Sequence, residues 1–211
     1  MSVLYTQQPR TRRVSRRIPV PVVFLASFPR SGNTFVRQIL FEAFNIRSYT
    51  VAEHEPQTNW IGGFAGSADW SEVPVAFIKT HETTQTGGRT WHIVRDGRDA
   101  MASYAKWLPA LSRVKASDWG QKVMALDAKA HVTTKFETLL RDPIGEVQFA
   151  IDMLGLTKHL PRISDTLTPF SVLQRRDPHH WRKGVTGDRS GLDVAAFERL
   201  NRDALEHFGY L

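Results

Sequence analysis

The most regular pattern in the chain is a short apolar run, then a polar turn, then an apolar stripe at helical spacing. Val22 to Phe28 are almost all apolar, and Pro29 ends the run. A run of this length predicts a buried strand. Beyond the turn, apolar side chains recur every three or four residues from Phe35 to Phe44, which predicts a helix. The pattern therefore predicts a strand, a turn and a helix in direct succession.

Weaker patterns predict the remaining elements. Three further strands are predicted at Val75–Ile78, at Thr90–Val94 and, nearer an edge, at His131–Phe136. Helices are predicted around 100–104, over 143–154, and after a cap at Asp193 as one helix through 205. Little periodicity marks 45–73, which is interpreted as a functional loop or lid. Residues 106–120 are interpreted as a mobile or inserted helical segment, and whether it covers the site is left open.

The turn between the first strand and its helix is small, polar and cationic. It reads Pro29-Arg30-Ser31-Gly32-Asn33-Thr34. A turn that opens directly into a helix aims backbone N–H groups at one point, where the helix dipole adds positive charge. Such a turn favours phosphate or sulfate, and a glycine allows the anion to approach the backbone closely. This is not a Walker A loop, because GxxxxGK[ST] is absent.

Three other segments carry cations beside turns. Lys79-Thr80-His81 ends the second predicted strand, where α/β proteins place their sites, and a histidine can accept a proton near neutral pH. Arg95 ends the third strand and Ser103 lies in the following helix, so the two converge only if the turn folds back. Asp96 and Asp99 are interpreted as caps and as partners for Arg98. Arg182-Lys183-Gly184 is a cation pair beside a glycine, inside a polar loop over 177–191.

Composition sets the class of protein. The chain has 211 residues, of which 41% are hydrophobic and 23% charged, as in a globular protein, and it has no cysteine. We expect one domain over 18–211, preceded by a flexible basic arm over 1–17. No apolar run is long enough to span a membrane, and the absence of cysteine fits a cytoplasmic location. The net charge of +7 and the pI of about 10 favour anionic ligands.

The ordered motifs resemble those of the sulfotransferases that use 3'-phosphoadenosine-5'-phosphosulfate (PAPS). The turn and Phe35 are similar to the family's P-R/K-S-G-x-T-W/F loop. Residues 95–103 resemble its R-x-x-R-D-x-x-x-S segment, and 182–184 its R-K-G loop. KTH at 79–81 resembles the strand end that carries the family's catalytic base. Residues 135–143 resemble its Y-E-D-L-x-x-D-P stretch, and residues 168–170 resemble the T-S-F residues that contact the adenine. The resemblance implies an α/β three-layer sandwich with a central, mostly parallel sheet and a P-loop-like phosphosulfate site.

Carried over by position, the resemblance implies a role for each matching residue. The 5'-phosphosulfate would be held by Arg30, Ser31, Gly32, Asn33 and Thr34. The 3'-phosphate would be held by Arg95, Ser103, Arg182, Lys183 and Gly184. The adenine would be held by Phe35, Phe136, Thr168 and Phe170. The catalytic residues would be His81 as general base, Arg30 and Lys79. Relatives often have Lys in place of Arg30 and Tyr in place of Phe136.

The implied reaction moves a sulfuryl group from PAPS to a hydroxyl or amine, leaves 3',5'-adenosine bisphosphate (PAP), and requires no metal. The acceptor would be a small molecule or a carbohydrate, nucleic acid is not expected as a partner, and the oligomeric state is left open. One alternative is a Mg²⁺-dependent, nucleotide kinase-like phosphotransferase with a divergent phosphate loop. Another is a non-catalytic protein that binds polyanions, which the basic arm permits.

Overall fold

A computed structural model describes residues 20–51, 61–83, 86–107, 118–178, 181 and 184–211. The strands are β1 (Val22–Ser27), β2 (Ser48–Thr50), β3 (Gly62–Phe64), β4 (Ala76–Thr80), β5 (Arg89–Val94) and β6 (Val132–Lys135). The helices are α1 (Asn33–Phe44), α2 (Gly97–Trp107), α3 (Asp118–Asp127), α4 (Phe136–Arg141), α5 (Pro143–Met153), α6 (Phe170–Arg176), α7 (Val194–Leu200) and α8 (Arg202–His207).

The six strands form one sheet in the order β3-β2-β4-β1-β5-β6. Each neighbouring pair in this described sheet is parallel, with Leu25 of β1 beside Lys79 of β4 on one side and Trp91 of β5 on the other. In a parallel sheet the carboxyl ends of all strands meet at one edge. The segments that follow β1, β4 and β5 therefore emerge together.

Helices cover both faces of the sheet. On one face α1 and α5 pack on inward side chains of the central strands, including Val23, Leu25 and Trp91. On the other face α2, α3, α7 and α8 pack around Phe28 and Trp119. Burial of both apolar faces is the main force that holds the three layers together. The α/β fold with a central parallel sheet, predicted above, is confirmed.

The segment over 45–73 differs from its interpretation as a loop or lid. It supplies two short strands, β2 and β3, which extend the sheet beyond β4. Gly62 allows this pairing, because a Cβ on that residue would lie 1.6 Å from the carbonyl oxygen of Ser48. Three-residue strands carry too little periodicity to be predicted from a sequence. Residues 52–60 of this segment lie outside the described residues.

The last predicted helix is also wrong in one respect, since it is two helices. Asp193 caps α7 as expected, by accepting a hydrogen bond from the backbone N–H of Ala196. The helix then breaks at Asn201, whose amide oxygen accepts a hydrogen bond from the N–H of Gly120 at 2.9 Å. The break turns α8 onto α3, a tertiary contact that helical periodicity does not record.

Hydrogen bonds hold Tyr210 against the start of α2 and the turn before it. Arg98 pairs with Asp96 at 2.7 Å and donates a hydrogen bond to the carbonyl oxygen of Tyr210 at 2.8 Å. The hydroxyl of Tyr210 donates to Glu137 at 2.9 Å, and the other oxygen of Glu137 accepts the N–H of Asp96. Burial, and then the charge of Glu137, raise the pKa of Tyr210 far above its ordinary value. The network fixes the turn between β5 and α2.

Candidate active site

The turn after β1 has a backbone that only special residues adopt without strain. Gly32 has φ +96° and Arg30 has φ +69°, and the second value is uncommon for a residue with a side chain. The carbonyl oxygen of Gly32 accepts hydrogen bonds from the N–H groups of Phe35 and Val36 at 2.9 and 3.1 Å. Ser31 is fully buried, and its hydroxyl has no hydrogen-bond partner among the described residues. The turn thus begins α1 and presents a buried polar donor beside the helix start.

Asn33 holds this turn against β1 through its side chain. Its amide nitrogen donates hydrogen bonds to the carbonyl oxygen of Leu25 at 2.7 Å and to the hydroxyl of Ser27 at 3.2 Å. The amide group therefore points back to β1. A side-chain contact of Asn33 with a bound anion stays a prediction, and the bracing role is one that the sequence did not suggest.

Arg30 is the point at which two predicted cationic segments meet. Its Nε donates a hydrogen bond to the hydroxyl of Ser103 in α2 at 3.2 Å. Its carbonyl oxygen accepts a hydrogen bond from Nη1 of Arg95, also at 3.2 Å. The turn after β5 does fold back, so Arg95 and Ser103 both lie against the turn after β1.

Arg95 also reaches the third cationic segment. Its Nη2 donates a hydrogen bond to the carbonyl oxygen of Val185 at 3.0 Å, and its guanidinium lies 4.5 Å from the centre of the Phe136 ring. Its Nε is buried and has no hydrogen-bond partner among the described residues. Burial lowers the pKa of Arg95, and the nearby carboxylate of Asp99 opposes that shift. Arginine keeps its charge under these conditions, so the side chain remains a cation.

Four aromatic rings lie beside these cations. Phe35 contacts Phe136, Phe170 and Trp181 edge to face, with ring centroids 6.3 to 6.4 Å apart. Gly184 packs on this group, since a Cβ there would lie 2.5 Å from the Phe170 ring. Edge-to-face packing stabilises the group and places apolar rings next to the cationic Arg95.

Two predicted ligands, Arg182 and Lys183, lie outside the described residues. The residues on either side of them are described and reach the site. Trp181 is buried against Phe35, and Gly184 lies against the Phe170 ring. Sequence reasoning missed Trp181, although its position next to the cation pair was a usable signal.

His81 lies immediately after β4 at the same edge of the sheet. Its Nδ1 is 2.7 Å from the carbonyl oxygen of Ser27. Because a carbonyl only accepts hydrogen bonds, Nδ1 carries a proton, and Nε2 is the proton acceptor of the neutral ring. Lys79 lies two residues earlier and is only 9% exposed. No pattern in the sequence indicated Ser27 as the residue that orients the ring.

Thr168 is tied to the first helix. Its backbone N–H donates a hydrogen bond to Glu42 at 2.8 Å, and its hydroxyl donates to the other oxygen of the same carboxylate. These two hydrogen bonds fix the position of the segment that leads into Phe170. A contact between Thr168 and an adenine stays a prediction.

Two further questions concern metals and membranes. Within the described ranges, no group of three or more His, Asp or Glu side chains is placed to hold a metal ion. No helix in the same ranges combines the length and apolarity that crossing a membrane requires.

Comparisons with known proteins place the fold. No family model matches the chain, and no curated protein sequence matches it. Among solved structures, the chain is similar to a retinol dehydratase in complex with androsterone and the inactive cofactor PAP. The TM-score is 0.59 at 17% sequence identity, and the match covers 90% of this chain and 82% of that one. At this identity the likeness shows a shared fold.

Proposed function

We propose that the chain transfers a sulfuryl group from PAPS to a hydroxyl or amine of an acceptor and releases PAP. The observation that carries the proposal is the meeting of separate cationic segments at one edge of the sheet. Arg30 contacts Ser103, and Arg95 contacts both Arg30 and Val185. A ligand with an anionic group at each end suits such a meeting point. That the similarly folded retinol dehydratase was solved with PAP supports this choice.

Two orphaned polar atoms fit such a ligand. The hydroxyl of Ser31 and the Nε of Arg95 are both buried, and neither has a hydrogen-bond partner among the described residues. Buried polar groups without partners are rare in native structures and need an explanation. Both atoms are donors, and the oxygens of an anion would accept their hydrogen bonds.

In this proposal each end of the nucleotide has its own set of residues. The 5'-phosphosulfate is held by Arg30, Ser31, Gly32, Asn33 and Thr34. The 3'-phosphate is held by Arg95, Ser103, Arg182, Lys183 and Gly184. The adenine is held by Phe35, Phe136, Thr168 and Phe170. The bound donor supplies an electrophilic sulfur and a phosphate leaving group. Charge for both phosphates comes from the protein, so the reaction needs no metal.

His81 acts as the general base. The carbonyl oxygen of Ser27 fixes the tautomer with the proton on Nδ1, so Nε2 takes the proton of the acceptor hydroxyl or amine. Arg30 and Lys79 stabilise the negative charge that develops on the leaving phosphate. Donors arranged in advance for such charge contribute about 3–4 kcal/mol each. Arg30 cannot donate a proton at neutral pH, so its role is electrostatic.

The acceptor is proposed to be a small hydroxylated or aminated molecule, with a carbohydrate as the second possibility. Androsterone in the similarly folded retinol dehydratase is a small hydroxylated molecule, which favours the first. A cytoplasmic location and the flexible arm over 1–17 stay predictions, since no described feature tests either one.

The proposal is tested by following labelled sulfate from PAPS into a panel of alcohols, phenols, amines and sugars. His81→Ala is expected to lower kcat by about 10²- to 10⁴-fold while PAP binding is kept. The control is His159→Ala, which removes an exposed imidazole whose residue is not in the proposed site.

Near-normal turnover by His81→Ala would remove that residue from the mechanism. Transfer of phosphate from ATP that requires Mg²⁺, with no transfer from PAPS, would favour the phosphotransferase alternative. Salt-sensitive binding of oligonucleotides without affinity for PAP would favour the polyanion-binding alternative.

A further inference from the structure

One buried carboxylate near the site has no part in the chemistry proposed above. Asp99 lies in the first turn of α2 and is 2% exposed. The sequence suggested Arg98 as its partner, but Arg98 is paired with Asp96 and Glu198. Burying a charge is costly unless partners compensate it, so the partners of Asp99 indicate what it is for.

Those partners come largely from one loop. An oxygen of Asp99 accepts a hydrogen bond from the N–H of Gly187 at 2.7 Å. Arg189 lies between two carboxylates, with Nη2 at 3.2 Å from Asp96 and Nε at 3.8 Å from Asp99. We call Val185 to Leu192 the anchored loop.

Two more contacts hold the anchored loop to the same helix. Lys106, at the other end of α2, pairs with Asp188 at 3.2 Å and also contacts the hydroxyl of Ser190. Arg95, which precedes α2, donates a hydrogen bond to the carbonyl oxygen of Val185. Ion pairs and hydrogen bonds therefore hold the loop along the length of α2, and Asp99 is the most buried of the charged residues that make them.

We infer that Asp99 is a positioning residue for the nucleotide site. The anchored loop follows Gly184 directly in the chain, and Gly184 packs on the Phe170 ring, so the attachment of the loop to α2 fixes the position of Gly184 in the site. The negative charge of Asp99 also faces Arg95 at 3.9 Å and helps hold that guanidinium in place. The inference rests on the proposed function, because it assigns Asp99 to the binding of the 3'-phosphate.

The expected signature is weaker nucleotide binding with intact chemistry. When the anchored loop detaches for part of the time, the competent fraction of the protein falls and the apparent Kd rises in proportion. His81 and the turn after β1 are untouched, so turnover at saturating donor should persist. A purely structural role would instead lower stability and leave the Kd of the folded protein unchanged.

The experiment compares Asp99→Asn and Asp99→Ala with the unaltered chain. Asn keeps an oxygen for the Gly187 N–H and loses the charge, whereas Ala loses both. We expect the Kd for PAP, measured by isothermal titration calorimetry, to rise about tenfold in Asp99→Ala and less in Asp99→Asn. The KM for PAPS should follow the Kd, and kcat should change less than threefold.

A matched control is Asp127→Asn, which alters another carboxylate with several hydrogen bonds. Among the described residues its partners are His92, Thr133 and His207, none of which belongs to the anchored loop. This control should leave the Kd for PAP unchanged. Hydrogen–deuterium exchange over 184–192 should become faster in Asp99→Ala and stay unchanged in Asp127→Asn. If Asp99→Ala does not fold, Arg189→Gln carries the same test from the side of the loop.

The outcomes separate the two levels of the argument. If the unaltered chain binds PAP and Asp99→Ala binds it equally well although exchange shows the loop released, the inference is wrong and the proposed function stands. If the unaltered chain does not bind PAP, the proposed function fails and the positioning role fails with it.

Discussion

Replacing Gly32 with Ala tests the geometry of the turn after β1. A Cβ on Gly32 would lie 2.3 Å from Cδ2 of Phe136 and 3.0 Å from Cε2 of the same ring. Carbon atoms do not approach so closely, so the ring or the turn has to move. The residue also has φ +96°, which is unfavourable for alanine. Two separate costs are therefore expected from one methyl group.

The size of each cost follows from its cause. A side chain in a left-handed backbone conformation costs about 1–2 kcal/mol. Forcing an extra carbon into a packed region costs about 1–3 kcal/mol. We therefore expect Gly32→Ala to lower the free energy of unfolding by about 2–5 kcal/mol. Because Arg95 stacks on the displaced Phe136 ring, the Kd for PAP should rise as well.

Gly191→Ala is the matched control. Gly191 has φ +84°, and a Cβ there would meet no atom within 4 Å. It should therefore show the backbone cost alone, about 1–2 kcal/mol. Urea denaturation followed by circular dichroism measures both variants. A Gly32→Ala variant no less stable than Gly191→Ala would refute the close approach of Phe136 to the turn.

Three further predictions concern the stability of the fold. Hydrogen bonds, the one with His92 first, hold the pKa of Asp127 far below its usual range. The ionised carboxylate therefore stabilises the fold above about pH 4, and this stabilisation is lost as the pH falls further. In Asp127→Asn the free energy of unfolding should depend less on pH below about pH 4. Tyr210→Phe removes a hydrogen bond to Glu137 and should cost about 1.5–3 kcal/mol in urea denaturation, and an unchanged midpoint would show that the bond contributes nothing. Asn201→Ala leaves a buried backbone N–H without its acceptor and should cost about 1–3 kcal/mol by the same assay, whereas a stable variant would mean that the break between α7 and α8 does not depend on this amide.

Long elements with a clear period could be predicted from the sequence. β1 and α1 lie within two residues of their predicted bounds, and the strands predicted at 75–78, 90–94 and 131–136 are all present. Each combines an apolar run or stripe with a turn residue that ends it. β2 and β3 could not be predicted, because three residues paired at the edge of a sheet leave no pattern of their own. Their existence depends on tertiary pairing with β4.

Part of the candidate site could be predicted, because some residue types indicate their chemistry directly. Cations beside small residues marked the segments that hold Arg30, Arg95 and Gly184, and the structure brings these segments together. The supporting residues were not predictable. Ser27 acts through its carbonyl oxygen, which every residue has, and Asp99 acts on a backbone N–H about ninety residues away in the chain. Contacts of this kind depend on the fold and carry no sequence signal.

The central claim is that these cationic segments bind one nucleotide with a phosphate at each end. Calorimetric titration with PAP, 5'-AMP and 3'-AMP tests it most directly, because the three ligands differ only in which phosphates they carry. Each phosphate should make charge-assisted hydrogen bonds to its own segment, so PAP should bind at least about tenfold more tightly than either monophosphate. Equal affinity for PAP and a monophosphate, or no affinity for any of the three, would contradict the claim.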